Sequence, residues 1–247
     1  VQYNASIWEP EMINWVDKYL KFYKIGSGDL TAYPIIKEFV RRGKPILLST
    51  GLSNLSEITN TINFIRKSNP AYKKKNMIAI MQCTSMYPTD DTDVNLNVID
   101  QFKKSFDLQI GYSHHAFGDL ALQIAYIKGA NILEFHFTDN RKGKTFRDHL
   151  ISLTKDEVIN LSLKFKKIKN LLGHHKKVAS KSEINSGHIK SFRRAIYFNK
   201  NIQRGKIISK DDLVCLRPNV GLDAREMNKI LSKKSPKNFK AFKKIKL

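Results

Sequence analysis

Two histidines and a glutamate are spaced so that they can serve one reacting centre. Glu134 and His136 are two residues apart in the apolar run Ile132 to His136. In an extended strand their side chains leave the same side while Phe135 leaves the other. His115 follows the preceding run of this kind, Leu108 to Tyr112. Imidazoles from neighbouring strands can share a divalent cation and leave coordination positions open, as polarising a substrate carbonyl requires. The same rings can also do no more than hydrogen-bond within a barrel, and spacing alone leaves both readings open. His114 reads as a loop or supporting residue. Lys24, Ser27, Ser49, Ser85 and Ser113 add one ammonium and a set of hydroxyls, donors suited to cradling a phosphate. Serines that merely end strands and begin turns would look the same.

These groups converge only if the chain brings them to one rim. Short strand-like runs, Phe22 to Ile25, Pro45 to Ser49, Met77 to Gln82, Leu108 to Tyr112 and Ile132 to His136, alternate with segments of helical period. That rhythm predicts βα units around a parallel sheet, whose reactive residues lie at the carboxyl ends of the strands. Lys24, Ser27, Asp29, Ser49, Thr50, Thr84, Ser85, Tyr87, Ser113, His115, Glu134 and His136 all fall at such ends. A further strand-like run, Val1 to Ile7, opens the chain. Asn54 with Glu57, and Thr154 with Glu157, have the spacing of helix capping boxes. Behind them Ile58, Ile62 and Ile65, and then Val158, Leu161, Phe165, Ile168 and Leu172, make apolar stripes. Gly129 is placed to stop a helix. Residues 173–190 are polar and aperiodic and read as a linker between a domain at 1–172 and a small β-rich domain at 191–247. The latter opens with the alternating run Phe192 to Phe198, then a hairpin-like pattern from Asn201 to Ile208 and a turn at Arg217 to Gly221.

Composition narrows the classes. With 247 residues, 41% of them hydrophobic, the chain can bury a sizeable core. The net charge of +22 raises the question of nucleic acid. Most of the 44 basic residues are Lys spread through helical segments and the tail, a solvated surface rather than a set of Arg forks. No nucleic-acid or membrane partner is expected, although the positive field would attract a small anion. No run approaches the roughly 20 apolar residues of a membrane span. Cys83 and Cys215 are too few for a disulfide framework, which points to a reducing, cytoplasmic setting.

The ordered strings carry a resemblance. Tyr23 to Asp29 (YKIGSGD), Gly43 to Gly51 (GKPILLSTG), Cys83 to Thr89 (CTSMYPT), Gly111 to His115 (GYSHH), Leu133 to Thr138 (LEFHFT) and Arg147 to His149 (RDH) resemble the sialic acid synthase family. That family includes N-acetylneuraminate, legionaminate and pseudaminate synthases. Ser191 to Arg194 and Arg217 to Gly221 resemble signatures of its C-terminal antifreeze-like (SAF) domain. The resemblance implies a (β/α)8 TIM-type barrel joined to a small β-rich SAF domain. It also implies that the present chain is N-terminally truncated, with about strands 3–8 of the barrel, because the family's barrel begins well before these strings. His115 and His136 fall on the family's metal ligands, usually for Mn²⁺, with Mg²⁺ or Co²⁺ as alternatives. Lys24, Ser27, Ser49, Ser85 and Ser113 match positions that hold phosphoenolpyruvate. Asp29, Tyr87, Glu134 and Asp148 match polar positions near the sugar and the reacting carbons, with Glu134, Tyr87 and Asp148 expected to be catalytic. Arg217 matches an arginine that reaches the partner subunit's barrel, which implies a domain-swapped homodimer. Relatives commonly have Asp at the position of His114 and Asn at that of Ser85.

The expected reaction is condensation of phosphoenolpyruvate with an N-acetylated amino-sugar aldehyde, typically N-acetylmannosamine, and water, giving a nonulosonic acid and phosphate. The alternative is an inactive remnant that serves only in carbohydrate binding or dimerisation.

Overall fold

The computed structural model describes residues 2–245; Val1, where the first strand-like run opens, lies outside them. The chain forms two compact units, one ending at Gly173 and the other beginning at His174.

In the first unit the strands are β1 (Tyr23–Ile25), β2 (Ile46–Ser49), β3 (Ile78–Cys83), β4 (Gln109–His114) and β5 (Ile132–Phe135). They form one parallel sheet in sequence order, with Ile25 beside Leu48, Leu48 beside Ile80, Ile80 beside Ile110 and Tyr112 beside Leu133. After a short N-terminal helix, α1 (Ile13–Val16), each crossover carries one helix: α2 (Tyr33–Arg42), α3 (Leu55–Ser68), α4 (Val98–Ser105) and α5 (Leu120–Ile127). Sequential parallel pairing with one helix per crossover is the construction of a βα barrel, and here it gives a half-barrel. Single parallel bridges extend it at both edges, Ser6 to Lys24 and Phe137 to Leu153. Past β5 come α6 (Arg147–Ile151) and the long α7 (Lys155–Leu172).

β2, β3 and β4 are buried along nearly their whole length, covered on both faces, whereas β5 at the sheet edge is half-buried. Tyr23, Ile25, Ile46, Leu48, Ile78, Ile80, Ile110 and Tyr112 pack outward against Ile36, Phe39, Ile58, Ile62, Phe102 and Leu122 of the helices. Leu47, Ala79 and Met81 turn inward to a smaller cluster with Phe22 and Ile132. Both predicted capping boxes are present: Asn54 Oδ1 accepts from the Glu57 N–H at 3.0 Å while Glu57 Oε2 accepts from the Asn54 N–H at 2.8 Å, and Thr154 with Glu157 repeats the pattern. Gly129, at φ 91°, ends α5 with its N–H on the Tyr126 carbonyl, and the Ala130 N–H reaches the Ala125 carbonyl, both at 3.0 Å.

Two expectations are corrected in the C-terminal part. The stretch read as an aperiodic linker contains α8 (Lys181–Asn185) and runs into α9 (His188–Phe192). Ser180 and Glu183 form a capping box that starts α8, and Gly187 at φ 68° separates the two helices. The hairpin-like pattern from 201 to 208 does not pair with itself. Ile202 and Ile208 both turn into the core, and the bridges run to the distant C-terminal stretch, Ile202 to Phe239 and Ile207 to Lys234. The unit's strand pair is instead β6 (Ala195–Phe198) antiparallel to β7 (Leu213–Leu216). Its core is Ile196, Phe198, Ile202, Ile208, Leu222, Ile230 and Ile245. Among the described residues no helix is long and apolar enough to cross a membrane.

Candidate active site

A cavity of about 680 Å³ opens at the carboxyl ends of β1 to β5, where the half-barrel's polar residues collect. Lys24, Ser27, Asp29, Ser49, Ser85, Tyr87, Ser113, His115, Glu134, His136 and Asp148 all line it. A second hollow of about 440 Å³ shares Leu52, Cys83 and Ser85 but has no charged side chain in its walls. The ionic chemistry therefore lies in the first.

Four strands build its charged floor. Lys24 Nζ donates to Ser49 Oγ at 2.9 Å and lies 3.4 Å from Glu134 Oε1. The same carboxylate oxygen accepts from Ser113 Oγ at 2.7 Å. β1, β2, β4 and β5 thus contribute one residue each to a single connected group. Beside it the Gly51 N–H donates to Ser27 Oγ at 3.0 Å. A Cβ on Gly51 would stand 2.9 Å from Ser27 Oγ and also strike Ser85 Oγ, so glycine leaves room for a cradle of two hydroxyls and an ammonium.

The two candidate ligand rings stand side by side. His115 and His136 have ring centroids 5.3 Å apart, and the Tyr87 ring lies 4.1 Å from the first and 5.8 Å from the second. His115 is held by Nδ1, which donates to the Thr84 carbonyl at 3.0 Å. An N–H spent on a carbonyl fixes the tautomer and leaves the lone pair on Nε2, the usual preparation of a histidine for a metal. His136 turns Nδ1 toward Asp148 Oδ2 at 3.5 Å, while Asp148 Oδ1 is buried with no hydrogen-bond partner in the protein. Burial pushes both imidazoles below the ordinary histidine value; the Thr84 carbonyl opposes the shift at His115 and Asp148 opposes it at His136. The shift favours the neutral form of both rings, the one that offers a lone pair. Among the described residues no three His, Cys, Asp or Glu side chains are spaced to enclose an ion. The protein offers two nitrogens and would leave the remaining positions to water or substrate, so the donor set fits an open site rather than a closed structural one.

Several wall residues escaped the sequence reading. Trp8, Phe146 and Arg147 line the cavity. The Arg147 guanidinium sits 4.8 Å over the Tyr87 ring, and burial pushes the Tyr87 hydroxyl above its usual value. Trp8 follows the first strand-like run, so the rule of carboxyl-end residues could have found it; Arg147 stood unused inside the RDH string. Cys83, the last residue of β3, accepts from Ser27 Oγ at 3.5 Å. Arg217 belongs to the second unit, where its Nε donates to the Phe192 carbonyl at 2.7 Å.

The chain matches the NeuB family over residues 1–177 and the SAF domain over residues 193–241. It is 35% identical to N,N'-diacetyllegionaminic acid synthase of Campylobacter jejuni, over 90% of this chain and 64% of that protein. It is 33% identical to human N-acetylneuraminate-9-phosphate synthase, over 62% of this chain and 41% of that one. Among solved structures, the N-acetylneuraminic acid synthetase of Leptospira borgpetersenii superposes with a TM-score of 0.63 at 27% identity, covering 72% of this chain and 60% of that one. The spore coat polysaccharide biosynthesis protein E of Chromobacterium violaceum shares the fold, with a TM-score of 0.74 at 22% identity and coverage of 97% and 70%. The chain spans 60% to 64% of the length of the first curated relatives it matches. A half-barrel matching NeuB, followed by a unit matching SAF, makes this chain a member of the NeuB family.

Proposed function

We propose that the protein condenses phosphoenolpyruvate with an N-acetylated amino-sugar aldehyde and water to give a nonulosonic acid and inorganic phosphate. The observation that carries this is the convergence, in one cavity, of a Lys24–Ser49–Ser113–Glu134 group with the His115–His136 pair. The names of relatives that make legionaminic and sialic acids support the substrate class.

Lys24 and the hydroxyls of Ser27, Ser49, Ser85 and Ser113 hold the phosphate and carboxylate of phosphoenolpyruvate. Its C3 attacks the aldehyde carbon of the open-chain sugar, the aldehyde oxygen takes a proton, and C2 is left as an oxocarbenium. Water adds to C2 and loses a proton, the bond from C2 to the bridging phosphate oxygen breaks, and phosphate departs with the proton of the C2 hydroxyl as the 2-keto acid forms. Glu134, oriented by Ser113 and Lys24, stands to steady the cation at C2 and to take the proton of the incoming water. Asp148, with one oxygen toward His136 and the other 3.6 Å from Arg147 Nε but without a hydrogen bond, is suited to accept a sugar hydroxyl, in the cavity that Tyr87 and Asp29 also line. A divalent ion, usually Mn²⁺, held by His115 and His136 would supply Lewis-acid polarisation of the aldehyde. By the same resemblance, Arg217 serves the acceptor sugar across a domain-swapped homodimer, and the free thiols of Cys83 and Cys215 fit a cytoplasmic setting.

The test is phosphate release from phosphoenolpyruvate and N-acetylmannosamine, with Mn²⁺ binding followed in parallel by electron paramagnetic resonance. His115→Ala and His136→Ala should each abolish both signals. Undiminished Mn²⁺ binding in the two variants would remove the metal role, and absence of phosphate release with every N-acetylated amino sugar tried would remove the reaction.

A further inference from the structure

Among the buried titratable side chains that the proposed chemistry leaves unused is an imidazole directly beside the site. His114, next in sequence to His115, is 1% exposed and points to the helix-side core rather than to the cavity. Alternation along β4 sets this: Ser113 faces Glu134 on the cavity side, while Tyr112 and His114 share the opposite face, their rings 5.7 Å apart.

Both ring nitrogens of His114 are engaged. Nε2 lies 2.8 Å from the Gly118 carbonyl, which can only accept, so the proton is on Nε2. Nδ1 then accepts from the Tyr112 hydroxyl at 3.1 Å. An imidazole buried merely to fill space would cost more than an apolar side chain of similar size. This one spends its N–H across the turn that follows β4, tying residue 114 to residue 118, where Gly118 has φ +70°.

That turn carries His115. The ring of His115 is fastened to the Thr84 carbonyl, and its own carbonyl accepts from the Thr89 N–H at 2.9 Å. The loop from Thr84 to Thr89 is internally braced, since Thr89 Oγ1 donates to the Met86 carbonyl at 2.8 Å. His115 is thus held from the β3 side by that loop and from its own side by the turn His114 closes.

We propose that His114, clamped between Tyr112 and Gly118, is the positioning residue that fixes the β4–α5 turn and thereby aims the His115 imidazole at His136. It acts through His115 and touches no substrate. The part of the proposal that concerns metal rests on reading His115 as a ligand; the part that concerns the aim of the ring does not.

Two measurements separate these parts. In the metal-free protein, the His115 Nδ1–H bonded to Thr84 should give a slowly exchanging imidazole proton in NMR. His114→Leu, which fills the space without an N–H, should lose that signal to exchange, and His114→Gln, whose amide N–H can reach Gly118, should keep it. In parallel, H114L should weaken Mn²⁺ binding about tenfold or more, the scale seen when an outer partner of a ligand is removed, with H114Q close to the parent. In turnover H114L should lower kcat while leaving the KM for phosphoenolpyruvate in place, because Lys24 and the serines are untouched. Tyr112→Phe, which removes only the hydroxyl that orients His114, should shift both readouts in the same direction by less, and it decides the matter if H114L does not fold. An unchanged His115 proton in H114L, or in Y112F if that variant must stand alone, would overturn the positioning role. A lost proton with Mn²⁺ bound by neither parent nor variant would uphold the aim of the ring and overturn the metal reading instead.

Discussion

At the scale of single residues, the site depends on small clearances as much as on charged groups. Gly51 is the sharpest case, because a methyl there would be forced against Ser27 Oγ at 2.9 Å and against Ser85 Oγ. Gly51→Ala should therefore spread the hydroxyls meant for the phosphate, raising the KM for phosphoenolpyruvate by about tenfold, the effect of losing one charge-assisted hydrogen bond. Steady-state kinetics with varied phosphoenolpyruvate would check this, and an unchanged KM would mean that Ser27 and Ser85 do not hold it. Glu134 shows why identity alone is not enough: the role proposed for it rests on Ser113 and Lys24 meeting one of its oxygens.

At the scale of elements, β4 is the central positioning device. It lies between β3 and β5, ends in Ser113 and His114, and delivers His115 one residue later. Its Gly111 lets the three strands approach, since a Cβ would come 2.8 Å from the Ile132 carbonyl oxygen and 2.8 Å from Met81 Cγ. Backbone cannot step aside as a side-chain tip can. Gly111→Ala should cost about 1–3 kcal/mol as overpacking, and at this chain length each kcal/mol is worth about 2–4 °C in the thermal midpoint. A calorimetric scan would measure it, and a melting point equal to the parent's would show that the strands have slack. The helices, by contrast, are set by local rules. Replacing Asn54 with Ala should cost only about 1 kcal/mol, because the α3 cap is exposed and its stripe still packs.

At the scale of the whole molecule, charge is unevenly shared. Nearly half of the basic residues but fewer than a quarter of the acidic ones fall after Gly173. In that basic unit Asp212 is buried, and the Lys206 and Lys200 ammoniums with the Ser209 N–H hold its carboxyl well below the usual carboxylate range. The folded state therefore binds this proton more weakly than the unfolded state does. The stabilisation is fully present above the unfolded value near pH 4 and drains away as pH falls below it. Hydrogen exchange over β6 and β7 should lose protection as pH falls from about 4 toward 2, after correction for the intrinsic rate, and Asp212→Asn should be less protected at neutral pH with a flatter acid response. A parallel response of variant and parent would exclude Asp212 as the cause. The net charge of +22 also predicts that kcat/KM for an anionic substrate falls as salt is raised at fixed Mn²⁺. Salt-independent kinetics would show that the field does not steer substrate.

Much of this was legible in the chain itself, wherever the determining interaction is local. The five strands begin and end within two residues of their apolar runs, because a parallel strand covered on both faces must be apolar along its length. The boxes at Asn54 and Thr154 and the stop at Gly129 follow from backbone groups satisfied within a few residues. The side of the sheet that Glu134 shares with His136 follows from the twofold period of a strand. Tertiary structure alone decided the rest, since those features join residues far apart in sequence. It brought the His115 and His136 rings to 5.3 Å, set Lys24 against Glu134, and laid Arg147 over Tyr87. It also paired Ile202 and Ile207 with the C-terminal stretch rather than with each other. No local rule chooses among distant partners; the packing that buries one face of each element does.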